Sequence, residues 1–261
     1  MSEFETITLD VSDEIATITL NVPEKMNACG LPMADEINHA LDKLGGARAL
    51  IFTGAGRGFC SGADLSGGRA SDISGGQGSY KSLMNHYNPM LVKLHRLDIP
   101  TIGAINGPAA GVGCSIALAN DFVIASDKAY FLQAFVNIGL VPDGGASWML
   151  SRLVGKARAT ELMMLGEKLT AEKAYEWGAI HKVVDPDSLM REAQELARRL
   201  AAMPTVALGQ MRRNLAEAME CDFATALIRE AEGQRVAGDS EDAREGAMAF
   251  LQKRKPEFKG R

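Results

Sequence analysis

Apolar and polar residues alternate along Thr6-Ile7-Thr8-Leu9-Asp10-Val11 and again along Ile15-Ala16-Thr17-Ile18-Thr19-Leu20, with Ser12-Asp13-Glu14 between them. A period of two on either side of a short polar link predicts a β-hairpin with one wet face. The period then changes. Met33, Ile37, Leu41 and Leu44 recur at helical spacing and predict a helix over 31–44, stopped by Gly45-Gly46. Ala49-Leu50-Ile51-Phe52-Thr53 and Thr101-Ile102-Gly103-Ala104-Ile105 carry no charge and read as strands buried on both faces. A glycine-rich turn follows each of them. Residues 66–79, rich in Gly and Ser, predict a loop, read as a lid. Leu83, Tyr87, Met90, Leu91 and Leu94 line one face of a helix over 80–97, and a small-residue helix begins at 115–118. A strand is predicted over 122–125, helices over 146–154 and 157–165, a helix capped by Thr170 and ended by Gly178, and a short strand over 182–184. From 186 to about 253 only helices follow, and no internal repeat is visible. The order predicts an α/β core with a helical appendage.

With 261 residues, 46% of them hydrophobic, the chain predicts one domain, or one with a small appendage. A net charge of -5 argues against nucleic-acid binding by global electrostatics and leaves a local phosphate site open. The uncharged run between Asp98 and Asp121 is long enough to raise a membrane span. Asn106, Pro108 and the interspersed glycines interrupt it, and amphipathic helices follow, so it reads as buried core. Met1-Ser2-Glu3-Phe4-Glu5 is acidic, without an apolar stretch, and predicts no secretory signal. Cys29, Cys60, Cys114 and Cys221 form no CxxC pair, which suits a reducing compartment such as the cytoplasm, with neither disulfides nor zinc. The four histidines show no ligand spacing. His86, on the 80–97 helix, either lines a cleft or is simply packed or exposed.

The two glycine-rich turns carry the candidate chemistry. A strand feeding a tight turn into a helix leaves backbone N–H groups free, and such groups can hold a carbonyl oxygen that becomes negative during reaction. The Ala63 and Val112 amides are the candidates. The same glycines also serve tight packing and positive φ, and spacing alone leaves both readings open. Gly54-Ala55-Gly56-Arg57-Gly58 is half a dinucleotide fingerprint, but Phe59 stands where the third glycine belongs and no helix opens there. Asp143, between Pro142 and Gly144-Gly145 and just before a predicted helix, reads as an N-cap, an acid/base group, or both. Its neighbours Leu140, Val141 and Trp148 predict a raised pKa. Asp64 reads as a structural hydrogen-bonding residue, and Lys253, Arg254, Lys255 and Lys259 as a basic tail, solvated or facing phosphates.

Four stretches resemble the crotonase, or enoyl-CoA hydratase/isomerase, superfamily. They are Pro23-Glu24-Lys25-Met26-Asn27-Ala28, Phe59-Cys60-Ser61-Gly62-Ala63-Asp64-Leu65, Ile105-Asn106-Gly107-Pro108-Ala109-Ala110-Gly111-Val112-Gly113-Cys114 and Gly139-Leu140-Val141-Pro142-Asp143-Gly144-Gly145. The resemblance implies a spiral of ββα units. It divides the chain into an acyl-CoA-binding core over 1–200 and a helical region over 201–261 that builds homotrimers or dimers of trimers. It also implies an oxyanion hole at Ala63 and Val112, with Ser61, Gly62, Asp64, Gly111, Gly113 and Leu140 around the substrate. Lys25, Asn27 and Ala28 fall at the edge of the CoA nucleotide site, and Phe258 and Lys259 are expected to reach CoA in a neighbouring subunit. No metal or redox cofactor is implied, coenzyme A being part of the substrate, and neither nucleic acid nor membrane is an expected partner. Hydratases of the superfamily use two glutamates, and their positions fall here on Ser115 and Phe135. Asp143 matches the single acid/base of several isomerases, and 138–148 looks most like the phenylacetate-pathway isomerases. The resemblance therefore favours an isomerase acting on an enoyl-CoA or related aromatic acyl-CoA. A hydratase with Asp64 or Asp143 as substitute carboxylate and a non-catalytic acyl-CoA-binding protein are the alternatives.

Overall fold

The computed structural model describes residues 4–64 and 75–261. Strands β1 (Ile7–Ser12) and β2 (Ile15–Leu20) form the predicted hairpin, with Ile7 opposite Leu20 and Ser12 opposite Ile15. Asp13 and Glu14 turn it with φ of 49° and 60°, positive at both central positions as a two-residue hairpin turn requires. Helix α1 (Leu31–Ala40) is shorter than the predicted 31–44. Leu41 and Leu44 are still buried, in the turns beyond it. Helical spacing marks positions that face the core, and irregular turns can meet that demand too.

Strand β3 (Ala49–Gly54) precedes the first of the two glycine-rich turns. Helix α2 (Gly76–Ser82), a π-turn (Leu83–Tyr87) and α3 (Asn88–His95) then follow without a gap. Residues 76–79 are thus helical where a loop was expected, and the expected lid at 66–74 lies outside the described residues. Next come β4 (Thr101–Ile105), β5 (Ala109–Ala110), α4 (Val112–Leu118), β6 (Phe122–Ser126), β7 (Tyr130–Leu132) and α5 (Ala146–Leu165). Helix α4 starts three residues before its predicted position. Helix α5 spans both predicted segments, and Gly155, at φ 77° and ψ 159°, breaks the geometry between them. The chain ends with β8 (Lys168–Thr170), α6 (Ala171–Glu176), β9 (Lys182–Val184), α7 (Leu189–Ala201), α8 (Thr205–Ala218), α9 (Phe223–Gly238) and α10 (Glu241–Leu251).

Among the described residues the main sheet has the order β1-β2-β3-β4-β6-β9, parallel from β2 onward. Alternate residues of each strand enter different cores. Leu50 and Phe52 join the cluster that holds α1, α3 and α4, while Ala49 and Ile51 meet Leu189, Ala193, Ala197 and Leu200 of α7. Burial on both faces is why these strands read as apolar runs rather than as alternation.

A smaller sheet has the order β5-β7-β8. Bridges from Cys29 to Ala63 and from Cys60 to Ala109 continue it toward the N-terminus. A long strand, a short one and a helix thus recur along the described chain, giving the expected spiral of ββα units. The sequence showed no repeat because the short strands have two or three residues, too few for alternation to register.

Apolar side chains of α8 to α10, including Leu215, Phe223 and Phe250, are exposed in the single chain. Among the described residues no helix is long and apolar enough to cross a membrane.

Asn27 fastens one loop to another. It is fully buried at φ 53°. Its amide donates to Ala55 O at 2.9 Å and Gly58 O at 2.8 Å, and its Oδ1 accepts from Val22 N at 2.9 Å. Asn tolerates this left-handed backbone better than most residues. Truncation would leave those buried groups unpaired, so Asn27→Ala is expected to cost about 3 kcal/mol, read as a lowered denaturant midpoint at unchanged m-value.

Candidate active site

The site starts from two peptide units held by their carbonyl oxygens. The Gly62 carbonyl accepts from Cys29 N at 2.7 Å, and the Gly111 carbonyl from Cys114 N at 3.0 Å and Ser115 N at 3.2 Å. A trans peptide is planar with N–H and C=O on opposite sides. Fixing each oxygen inward therefore turns the Ala63 and Val112 N–H groups the other way. Among the described residues neither amide has a backbone acceptor. Val112 is the first residue of α4, where an N–H lacks an intrahelical partner. Gly62 and Gly111 have φ of +113° and +52°, conformations that L side chains resist. The packing reading and the donor reading of these glycines thus coincide, because positive φ is what aims the amides.

Strand pairing brings the two turns together. Cys60 lies opposite Ala109 in parallel pairing, and Ala110 N donates to Cys60 O at 2.9 Å. A Cβ built on Gly111 would come within 3.7 Å of Gly62 Cα, so the turns touch.

Asp143 occupies the turn before α5. The N-cap of that helix is Gly145, with no side-chain cap, so the N-cap reading of Asp143 is corrected. Its main-chain oxygen accepts from Ser115 Oγ at 2.9 Å and Ala146 N at 3.2 Å. Its Oδ1 is buried with no hydrogen-bond partner among the described residues. Burial raises its pKa to about 6, since an unpaired carboxylate loses hydration without gaining a counter-charge. The direction is as expected. Val141 is 81% and Leu140 50% exposed, and the turn rests on the core, with Gly144 against Ser115 and Leu91.

The enoyl-CoA hydratase/isomerase family model matches residues 10–261. The chain belongs to that family. It is 42% identical to the 1,2-epoxyphenylacetyl-CoA isomerase of Escherichia coli K12, over the whole of both chains. It is 33% identical to the short-chain-enoyl-CoA hydratase of Clostridium acetobutylicum, over 99% of this chain and 100% of that one. The crystal structure of enoyl-CoA hydratase from Bacillus anthracis superposes with a TM-score of 0.92 at 29% identity, covering 98% of this chain and 100% of that one.

In this member of the family, Lys25, Ala28, Ser61, Gly62, Ala63 and Asp64 form one patch. Lys25 Nζ pairs with Asp64 Oδ2 at 3.0 Å, Ser61 Oγ donates to Lys25 O at 3.3 Å, and Ala28 N donates to Lys25 O at 3.1 Å. Asn27 is not part of the patch surface, because its buried side chain is spent on the loops beneath. Gly113 is also interior: a Cβ there would meet Cys60 O at 2.4 Å. Leu140 is exposed, three residues before Asp143. His86 Nδ1 lies 2.7 Å from Asp35 Oδ1, which places it in a surface pair with α1.

Phe258 and Lys259 are not brought to the patch within this chain. Arg48 donates to Phe258 O, and the buried Asp242 carboxylate accepts from Lys259 N and Gly260 N. Arg48 precedes β3, at the end of that strand away from the glycine-rich turn. Six residues of strand put the two ends about 20 Å apart. A cleft of about 1270 Å³ between α3, α5, α8 and α9, lined in part by Leu91, His95, Trp148 and Arg229, meets the Asp143 turn only at Gly144 and Gly145. Ser115 entered the sequence analysis only as the position of a hydratase glutamate; its bond to the Asp143 turn was not foreseen, and a lone hydroxyl among the apolar residues of 112–118 was the available signal.

The raised pKa carries a sign for stability. Between about pH 4 and 6 the native state keeps a proton that the unfolded chain has released, so stability falls as pH rises through this window. Asp143→Asn removes the penalty. It is expected to raise the melting temperature relative to the parent at about pH 8, with the difference gone near pH 3.5, as read by thermal scans across pH.

Proposed function

We propose that this chain isomerises an enoyl-CoA, or a related aromatic acyl-CoA, through an enolate held by Ala63 and Val112 with Asp143 as the single acid/base. The observation that carries the reading is the Asp143 carboxylate, unpaired, with a pKa of about 6, tethered to the helix whose first amide is one of the two donors. A base works best near its operating pH, and burial brings this one there. Where hydratases of the superfamily place acids, this chain has Ser115, whose hydroxyl is engaged, and Phe135, whose ring lies 3.7 Å from a Cβ built on Gly111. A 42% identical relative is named an isomerase, which supports the same choice.

The chemistry follows in order. The thioester oxygen accepts from the Ala63 and Val112 amides, so charge that builds on it is stabilised, with loss of one such donor costing roughly 3 kcal/mol. Asp143 takes the α-proton of a β,γ-enoyl thioester. The dienolate spreads its charge to the γ-carbon, and Asp143 returns the proton there, leaving the α,β-conjugated product. One carboxylate suffices because no water is added. Asp64 is a weaker candidate for a hydratase carboxylate, since Lys25 already engages it. Residues 201–261 are proposed to build the trimer or dimer of trimers, supported by the exposed apolar residues of α8 to α10. A neighbouring subunit would then be the one reached by Phe258 and Lys259.

Asp143→Asn is expected to lower kcat on a β,γ-enoyl-CoA by about 10³-fold, with the affinity for a saturated acyl-CoA nearly unchanged. The parent's kcat/KM should fall about tenfold per pH unit below about 6. Near-normal turnover by the variant rejects the assignment. Solvent oxygen-18 in the product would identify a hydratase, and absence of α-proton exchange in heavy water a silent binder. Light scattering at a mass near one chain would reject the assembly.

A further inference from the structure

We infer that Ser115 is the positioning residue that sets Asp143 against the oxyanion donors. The inference rests on the reading of Asp143 as the base, and it assigns to Ser115 a task of its own. Ser115 is fully buried in α4, a helix of seven residues whose first member is Val112. Its two polar groups point to the two halves of the chemistry. The Ser115 amide donates to the Gly111 carbonyl at 3.2 Å, and that carbonyl belongs to the peptide unit that carries the Val112 N–H. The Ser115 hydroxyl donates to the Asp143 carbonyl at 2.9 Å. One residue thereby fixes both the peptide that offers the donor and the turn that offers the carboxylate.

Packing sets the turn on Ser115. A Cβ placed on Gly144 would sit 2.7 Å from Ser115 Cβ and 3.0 Å from its Oγ, so the turn lies directly on this side chain. A residue at 115 reaching beyond the γ position would meet the turn, and a residue without a hydroxyl would leave the Asp143 carbonyl, among the described residues, held by Ala146 N alone. The Asp143 carboxylate is unpaired among the described residues, so no hydrogen bond of its own orients it. Its aim depends on the main chain beneath it, and Ser115 is the side chain that grips that main chain. Displacements of about 1 Å in such a group can cost on the order of 100-fold in rate.

The test compares Ser115→Ala, Ser115→Thr and Asp143→Asn with the parent, using 3-hexenoyl-CoA as substrate and hexanoyl-CoA as a saturated ligand. Alanine keeps the backbone amide and favours helix, so Ser115→Ala should fold and bind hexanoyl-CoA within about twofold, with KM little changed. Its kcat should fall about tenfold to 100-fold, and the acid limb of kcat should move by at least about half a pH unit as the carboxylate leaves its setting. Ser115→Thr restores the hydroxyl and should recover much of the lost kcat. The inference is overturned if Ser115→Ala matches the parent in kcat and pH profile while Asp143→Asn is inactive. It is equally overturned if kcat, hexanoyl-CoA affinity and melting temperature fall together with no recovery in Ser115→Thr, since that pattern belongs to packing alone. Full activity of Asp143→Asn would instead remove the reading of Asp143 itself.

Discussion

The Gly62 and Gly111 carbonyls, each captured by an amide of the chain's own backbone, are the constraint on which the site depends. A peptide unit has one rigid plane, so anchoring the oxygen end decides where the nitrogen end points. Backbone amides hold both peptide units, and Cys60 Sγ adds a contact to the Gly62 carbonyl at 3.8 Å. The arrangement is also stiff, because both units sit at the edge of hydrogen-bonded strands. In the proposed reaction this stiffness is what lets the donors meet developing charge without reorganising.

Everything around these units serves to bring them side by side. The long strands fill two cores, one on each face of the main sheet, and that double burial leaves the strand ends as the places where polar backbone can be exposed. The short strands of the smaller sheet then fix the register. A slip of one residue along the Cys60–Ala109 pairing would shift the Gly62 turn against the Gly111 turn. Gly113 shows how tight the approach is, with no room for even a methyl group beside Cys60.

Asp143 illustrates the opposite use of burial. Among the described residues its carboxylate has neither counter-ion nor hydrogen-bond donor, so it is costly to keep ionised and its pKa is raised. The Lys25–Asp64 pair, a few residues from the donors, shows the ordinary solution in which a carboxylate receives a cation. Asp143 has no such partner among the described residues, and a buried carboxylate left so is the kind of group suited to acid/base work.

Much of this was legible beforehand. The hairpin, β3, β4, β6 and β9 follow from alternation and apolar runs, and the two glycine-rich turns hold positive-φ glycines, Gly62 and Gly111, because backbone constraints leave traces in residue type. Asp143 stood out because Pro142, Gly144 and Gly145 enclose it. Other features left no such trace. The ββα repeat was hidden in strands of two or three residues, the helix at 76–79 in a glycine-rich stretch, and the end of α1 in residues that stay buried beyond it.

The sequence by itself determined which segments bury apolar surface and where the backbone must bend, since both are local demands on side-chain chemistry. Only the tertiary structure decided that the Gly62 and Gly111 turns touch, that the Asn27 side chain is buried on the loops beneath, that Phe258 and Lys259 sit at the far end of β3, and that the Ser115 hydroxyl meets the Asp143 carbonyl. Each of these is a meeting of residues distant in the chain, and it is strand register and packing that settle such meetings.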